Sequence, residues 1–441
     1  MSEGRTFPDL LGDCVHCGFC LQACPTYQLW GEEMDSPRGR IRLMAGLTEG
    51  DALDPARIEH FDTCLGCMGC MTACPSGVQY DKLIEQTRAR VEETTRRGPT
   101  DRVLRGLIFS LFPYPRRIRL VLPLLRLAQR TGAHGWLTRS AMLRRAFPRL
   151  TAMAALAPQV PPAAGRRRAG SATTDVSPRQ GKVALLTGCV QDAFFASVNR
   201  DTVTLLAANG IEVVVPAGQG CCGSLSLHNG RDREAVGMAR RLVDQIPDDV
   251  DAIITNAAGC GSTLKSYGEL LADDPRRAAR ARGFAAKVKD ITEYLGQRDA
   301  VAPLHPVPLR VAYHDACHLA HAQGVRREPR DLIGAIPGVE LVEIAEPDLC
   351  CGSAGVYNIL QPTASAELGA RKARHVSAAR PDLLVAGNPG CLMQLAGATA
   401  ATGSPVATAH TVELLAAATD AGRAGALAAR CTAARPADAP Q

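Results

Sequence analysis

CVHCGFCLQACP at residues 14–25 and CLGCMGCMTACP at residues 64–75 decide how this chain is read. Both follow C-x2-C-x2-C-x3-C-P, with Cys14, Cys17, Cys20 and Cys24 before Pro25, and Cys64, Cys67, Cys70 and Cys74 before Pro75. Three thiolates two residues apart can wrap one corner of an iron–sulfur cubane, while the fourth, set off by one more residue and a proline, points to a second cluster. The expected ligand sets are therefore crossed. Cys14, Cys17, Cys20 and Cys74 hold one 4Fe–4S cluster, and Cys64, Cys67, Cys70 and Cys24 hold the other. Zinc is the competing reading, but structural zinc usually takes paired C-x2-C clips rather than four-cysteine runs.

Composition agrees with metal chemistry in a reducing compartment. The 441 residues leave room for two or three domains, and 46% apolar content supports true cores, so the 17 cysteines are not needed as disulfide staples. The opening residues MSEGRTFPDLLGD lack the basic start and apolar stretch of a signal peptide, so a cytoplasmic location is expected. Only 4% of residues are aromatic, which argues against a base-stacking surface and hence against a nucleic-acid partner. The net charge of +6 is unevenly spread. Residues 81–181 carry 19 Arg and one Lys against six acids, or +14, which leaves −8 for the remainder. That basic middle suits an acidic partner or anionic lipid headgroups, or is simply a solvated arginine-rich helical face.

Helix signals surround the cysteine runs. Ser36 is a candidate N-cap ahead of Pro37, Arg38, Arg40 and Arg42 of that helix could offset the charge of a nearby cluster or form a solvated face, and Leu83, Ile84, Thr87 and Val91 recur at helical spacing. The long gap between Cys24 and Cys64 favours an α-helical two-cluster ferredoxin domain over residues 1–100. Residues 101–156 read as a basic helical connector. Its apolar run at 103–130 is broken by Pro113, Pro115, Arg116, Arg117 and Arg119, so a hairpin packed in the chain, a subunit contact or a peripheral contact at the inner membrane face is expected, not a membrane span. Residues 157–181, rich in Pro, Ala, Gly, Ser and Arg, read as a linker, and 418–441 as an alanine-rich tail, a frayed helix or disordered, containing the unassigned Cys431.

Between linker and tail the chain repeats itself. KVALLTGCV (182–190) matches LRVAYHDACH (309–318), IEVVVPAGQGCCG (211–223) matches VELVEIAEPDLCCG (339–352), and DAIITNAAGC (251–260) matches PDLLVAGNPGC (381–391). Apolar, β-branched runs alternate with helical stretches, which indicates two α/β domains with parallel sheets at 182–300 and 308–415. Each cysteine follows a strand, where parallel sheets place their sites. The metal candidates are Cys189, Cys221, Cys222 and Cys260 in the first repeat and Cys317, Cys350, Cys351 and Cys391 in the second. Adjacent cysteines are poor disulfide partners and natural neighbours on a cluster. Gly218, Gly220 and Gly223 spell a dinucleotide fingerprint, but the second repeat keeps only CCG, so the cysteines are the element that matters. Around Cys317 stand His314, Asp315, His318 and His321. His318 and His321 are spaced for a metal pair or proton donor, and Asp315 for a helix cap.

The paired CCG blocks resemble the cysteine-rich domains of the heterodisulfide reductase superfamily. In that pattern a further cysteine is expected where Thr263 and Gln394 stand, so the non-cubane cluster chemistry of its disulfide-cleaving members is in doubt here, and a four-thiolate cluster or zinc is equally allowed. Over residues 5–415 the order of parts, with CVHCGFCLQACPTY, SPRGRI and CLGCMGCMTACPSGVQY, resembles the glycolate oxidase iron–sulfur subunit family. The resemblance implies an α plus α/β fold without a flavin of its own. It also implies a complex with FAD-containing subunits that oxidise glycolate to glyoxylate, from which this chain takes electrons toward the respiratory chain. The alternatives are a heterodisulfide-reductase-like thiol/disulfide oxidoreductase, or an electron-transfer subunit for lactate or glycerol 3-phosphate oxidation.

Overall fold

Ser36 and Pro37 start the helix that organises the amino-terminal region. The computed structural model describes residues 5–160, 179–299 and 301–433. Ser36 Oγ accepts from the Gly39 N–H at 3.0 Å, and helix Pro37–Thr48 buries Ile41, Met44 and Leu47. These side chains pack with Leu83, Ile84 and Val91 of helix Tyr80–Thr94 and with Leu10, Ile58 and Phe61. The rest of the region is short helices and two tight cysteine loops. Both loops turn through positive φ at the same two places, His16 (53°) and Gly18 (87°) in the first, Gly66 (64°) and Met68 (63°) in the second. Two non-glycine residues thus accept a left-handed backbone so that the sulfurs can converge.

The apolar run at 103–130 forms helices Pro99–Leu111 and Pro115–Arg130, parted by the prolines, and is followed by Ala133–Arg139, Ala141–Ala146 and Pro148–Ala155. Ile108 and Phe109 pack on Val356, Ile359 and Leu360, and Ile118 and Leu122 pack on Ala193. The connector thus packs on both α/β domains. No helix among the described residues is long and apolar enough to cross a membrane. The expected linker lies mostly outside the described residues.

Two four-stranded parallel sheets follow. The first has the order β2-β1-β3-β4, from β1 (Gly181–Leu185), β2 (Ile211–Val214), β3 (Ala252–Thr255) and β4 (Val288–Asp290). The second has the order β6-β5-β7-β8, from β5 (Arg310–His314), β6 (Glu340–Val342), β7 (Leu383–Ala386) and β8 (Ala407–His410). The central β3 and β7 are buried along their whole length, as strands covered on both faces must be. Alternation sorts their neighbours. Val183, Leu185, Val311 and Tyr313 join one core shared by both sheets. Ala184 and Leu186 face a second cluster with Cys189, Cys221 and Cys222, while Ala312 and Leu384 face a third with Cys351 and Cys391.

In the tail, disorder is not what residues 421–433 show. They form helix Ala421–Ala433, which packs on Thr411–Ala418 and buries Cys431 in the shared core. An alanine-rich surface is enough for close helix contact, although it gives little periodic signal in the sequence. Residues 434–441 lie outside the described residues.

Candidate metal centres and the chamber between them

The first cysteine run lies at the surface. Cys14, Cys17, Cys20 and Cys74 border one recess, joined at its inner edge by Cys70, and Cys17 is exposed. Arg38 closes this loop from outside, donating to His16 O at 3.3 Å while paired with Glu33 at 2.6 Å. Cys24 points the other way. It is buried between Thr26 (3.2 Å) and the Arg40 guanidinium (4.0 Å), and its charge is felt by Cys67 and Cys70 of the second run. Cys74 thus shares the recess of Cys14, Cys17 and Cys20, while Cys24 turns to the interior near Cys67 and Cys70, with Cys20 also in reach.

Arg40 is almost fully buried. It donates to Asp35 O, His60 O and the hydroxyls of Thr26 and Thr63. Burial pushes the Cys64 thiol up, but the guanidiniums of Arg40 and Arg88 outweigh it and hold that thiol below its ordinary value. Cys64 Sγ also accepts from the Gly66 N–H (3.4 Å) and Tyr80 Oη (3.7 Å). Of the three arginines expected to face anionic sulfur, Arg38 and Arg40 do so, while Arg42 points into solvent with only a long contact to Glu49 at 3.7 Å.

The second run docks onto both α/β domains. Arg88 donates to His228 O at 2.9 Å, Glu85 meets His228 Nδ1 at 2.7 Å, and His318 Nε2 meets Gly66 O at 3.0 Å. Cys67 lies in one buried cluster with Cys350, against which Cys317 packs. The inner ferredoxin sulfurs thus abut the cysteines of the second repeat.

All eight cysteines of the repeats line one chamber of about 490 Å³, together with Cys64 and apolar side chains of the connector such as Phe112, Leu122 and Met153. Strand ends deliver the sulfurs. Cys189 follows β1, Cys221 and Cys222 follow β2, and Cys260 lies on helix Ala258–Lys265 after β3. Cys317, Cys350, Cys351 and Cys391 repeat this after β5, β6 and β7. Gly223 and Gly352 make the turns possible at φ 85° and 88°, and a Cβ on Gly352 would fall 2.8 Å from Ser365 O.

Cys189 Sγ and Cys221 Sγ lie 3.5 Å apart, Cys317 Sγ and Cys350 Sγ 3.9 Å, and all are free thiols. In the first set Cys222 is held well below its ordinary value by hydrogen bonds from Cys221 and Cys260, both of which are pushed up. In the second, Cys317, pushed up first by its contact with Cys350, stands well above, as do Cys350 and Cys351. Sulfurs this close and this dry repel one another as thiolates until a cation joins them, and that is the chemistry of a metal-binding donor set. The residues present fit an iron–sulfur or zinc centre.

Known proteins divide the chain along the same lines. The 4Fe-4S dicluster domain profile matches residues 11–78, the linker region of the glycolate oxidase iron-sulfur subunit matches 100–157, and the cysteine-rich CCG domain matches twice, at 183–265 and 311–396. The probable glycolate oxidase iron-sulfur subunit of Bacillus subtilis (strain 168) is 37% identical over 401 residues, 90% of this chain and 89% of that protein. The chain belongs to the glycolate oxidase iron–sulfur subunit family. The Escherichia coli (strain K12) glycolate oxidase iron-sulfur subunit is 32% identical over 88% of this chain and 90% of its own length. Lactate utilization protein A of Geobacillus kaustophilus is 31% identical over 53% of this chain and 98% of its own length.

Several polar residues take other roles than their spacing suggests in this family member. His318 uses both ring nitrogens, on Ser262 Oγ (2.7 Å) and Gly66 O, and His321 both of its own, on Thr72 Oγ1 (2.8 Å) and Asp348 O (3.0 Å), so neither is free to ligate metal. Asp315 does not cap a helix. It forms a two-pronged pair with Arg330 at 2.8 and 2.6 Å. Where the superfamily pattern expects a further cysteine, Gln394 spends its amide on Ser365 and Asn358, and Thr263 is buried. His228 lines the chamber near Cys222, and in the second repeat the imidazole that reaches the sulfurs is His314, at the end of β5 beside Cys351 and Cys391. Burial drives its pKa down to about 3, so it stands neutral.

Proposed function

We propose that this iron–sulfur subunit is a one-way conduit for single electrons, entered at Cys14, Cys17, Cys20 and Cys74 and continued through Cys24, Cys64, Cys67 and Cys70 to the cysteines around the chamber. A 4Fe–4S cluster supplies one-electron storage, which lets a two-electron flavin discharge in single steps. The observation that carries this reading is the continuity of sulfur. A half-buried set that opens to the surface at Cys17 leads to a buried set, which abuts Cys317 and Cys350. Arg38 and Arg40 offset the negative charge that each set gains on reduction, and the Gly66 N–H and Tyr80 hydroxyl stabilise sulfur charge further.

Family membership supports FAD-containing partner subunits, glycolate as the donor oxidised to glyoxylate there, and onward flow to the respiratory chain. The heterodisulfide-reductase-like reading is weaker because Thr263 and Gln394 replace the sulfur it needs. The connector supports peripheral contact with an anionic membrane. Leu120, Leu124, Trp136 and Met142 are each more than three-fifths exposed among arginines.

The test has two parts. In the reduced, anaerobically purified chain, Cys24→Ser should perturb the cluster of the second run and spare that of the first, with Cys20→Ser the reverse; EPR spectra that lose the same signal in both would refute the crossed assignment. The tagged chain should also co-purify with a flavoprotein whose glycolate oxidation reduces it. Reduction by lactate and not by glycolate would move the donor assignment to lactate.

A further inference from the structure

The second cysteine-rich domain contains a nitrogen that the conduit does not use. The imidazole of His314 and the sulfurs of Cys351 and Cys391 offer ligand atoms all within 4.8 Å of one another, and all three residues are buried. His314 Nε2 is inaccessible and has no hydrogen-bond partner among the described residues. Leaving such a group unpaired is costly, and here the unpaired nitrogen belongs to a ring that already stands beside two sulfurs. Neighbouring groups cannot take its place, because His318, His321 and Gln394 are committed to hydrogen bonds. Asn388 Nδ2 donates to Cys391 Sγ at 3.3 Å, a partner suited to a sulfur that carries charge.

The first domain shows what this position does without a nitrogen. Counting back from Cys189 as from Cys317, Leu186 stands where His314 stands. It is 1% exposed and packs among apolar side chains beside Cys189, Cys221 and Cys222. At this position the first domain therefore offers no donor, and its imidazole, His228, comes instead from beyond the CCG turn and is held by Glu85 through Nδ1.

We propose that His314 is a metal ligand, and that the second domain binds a thiophilic transition-metal centre through His314 Nε2 and the sulfurs of Cys351 and Cys391, with Cys317 and Cys350 beside them. His314 supplies the donor that Gln394 withholds. A neutral imidazole in place of a thiolate leaves the centre one unit less negative, which in an iron centre favours the reduced state. The inference rests on metal binding by the second cysteine set and does not depend on what the chain transfers.

Metal content and ligand spectroscopy of the full chain, purified anaerobically, test it. The wild type should hold metal beyond eight iron, and Cys391→Ser should lose the part of that excess that the second domain binds. If the excess is zinc, absorption at the zinc edge should show a nitrogen at about 2.0 Å among sulfurs at about 2.3 Å. If it is iron, pulsed EPR of protein labelled with 15N-histidine should show a directly coupled nitrogen, lost in His314→Ala and kept in His318→Gln. An all-sulfur shell in the wild type would overturn the proposal, and this measurement needs no variant to fold. Coupling that survives in His314→Ala would overturn it too. Eight iron and no further metal would also overturn it while leaving the two-cluster reading of the amino-terminal region intact.

Discussion

Just past β1 stands Leu186, and at the matching position, the last residue of β5, stands His314. One residue on, Thr187 matches Asp315. The Thr187 N–H donates to Gln219 and its carbonyl accepts from Asn199, each at 3.0 Å, within a neutral amide network. Asp315 instead grips the Arg330 guanidinium. Buried Lys372 lies near Cys350 and Cys351, on a helix whose counterpart in the first domain, Asp232–Gln245, buries only apolar residues. The two domains share strand order, cysteine placement and CCG glycine, yet at these matched positions the first sets apolar groups and neutral amides and the second charge and imidazole. Duplication preserved the scaffold and the donor atoms, while the electrostatics diverged. That divergence is where the two centres acquire different affinities and potentials.

The largest effect expected is complete and local. Cys222→Ser should strip metal from the first domain and leave the second loaded, and Cys351→Ser should do the reverse. Elemental analysis of the two variants checks this; one substitution emptying both domains would mean that the chamber holds a single shared centre and that the comparison is false.

The next effect is on stability. Removing Asp315 leaves Arg330 with only the exposed Glu343 as a carboxylate partner and breaks a largely buried ion pair, which costs about 3–5 kcal/mol. Thr187→Ala removes little beyond a methyl and a hydroxyl, and about 1 kcal/mol is expected. Denaturant unfolding of Asp315→Ala and Thr187→Ala should therefore separate by at least about 2 kcal/mol. Equal losses would show that the charged shell of the second domain contributes no more than the neutral one of the first.

These differences were only partly legible in the chain. The cysteine runs, the repeat and the Ser36 cap are local patterns, and each has its expected structural counterpart. Helix Tyr80–Thr94 was legible for the same reason, since Leu83, Ile84, Thr87 and Val91 keep one face. His314 was visible as a residue but not as a neighbour of sulfur, because Cys351 and Cys391 arrive from a loop and a helix start 37 and 77 residues away. The spacing of His318 and His321 pointed to metal, but a helical turn says nothing about partners, and here these are Gly66 and Thr72 of the ferredoxin region. Arg40 looked like one of three equivalent arginines until packing buried it and left Arg42 outside. Helix Ala421–Ala433 was left open between a frayed helix and disorder, because the docking on Thr411–Ala418 that orders it is made by small alanine contacts.

The subtlest expected difference lies in the last strand of each sheet, where the two domains should respond to pH with opposite sign. Asp290 ends β4 and caps the next helix, accepting from the Thr292 N–H at 2.8 Å, and His410 ends β8 and caps its helix through the Val412 N–H at 3.1 Å. Burial raises Asp290 to about 6 and lowers His410 to about 4. The native state therefore holds a proton on Asp290 that the unfolded chain releases above about pH 4, so this contribution to stability is present in acid and lost as pH rises through about 6. The unfolded chain instead protonates His410 below about pH 6.5 while the native state resists to about 4, so that contribution is lost as pH falls. Between pH 6.5 and 4.5 each amounts to about 2 kcal/mol, and in the wild type they oppose each other. Variants uncouple them. Relative to wild type, His410→Asn should gain about 2 kcal/mol on going from pH 6.5 to 4.5, and Asp290→Asn should lose about as much. Parallel shifts in the two variants would show that the terminal strands do not carry the opposed charges that separate these domains.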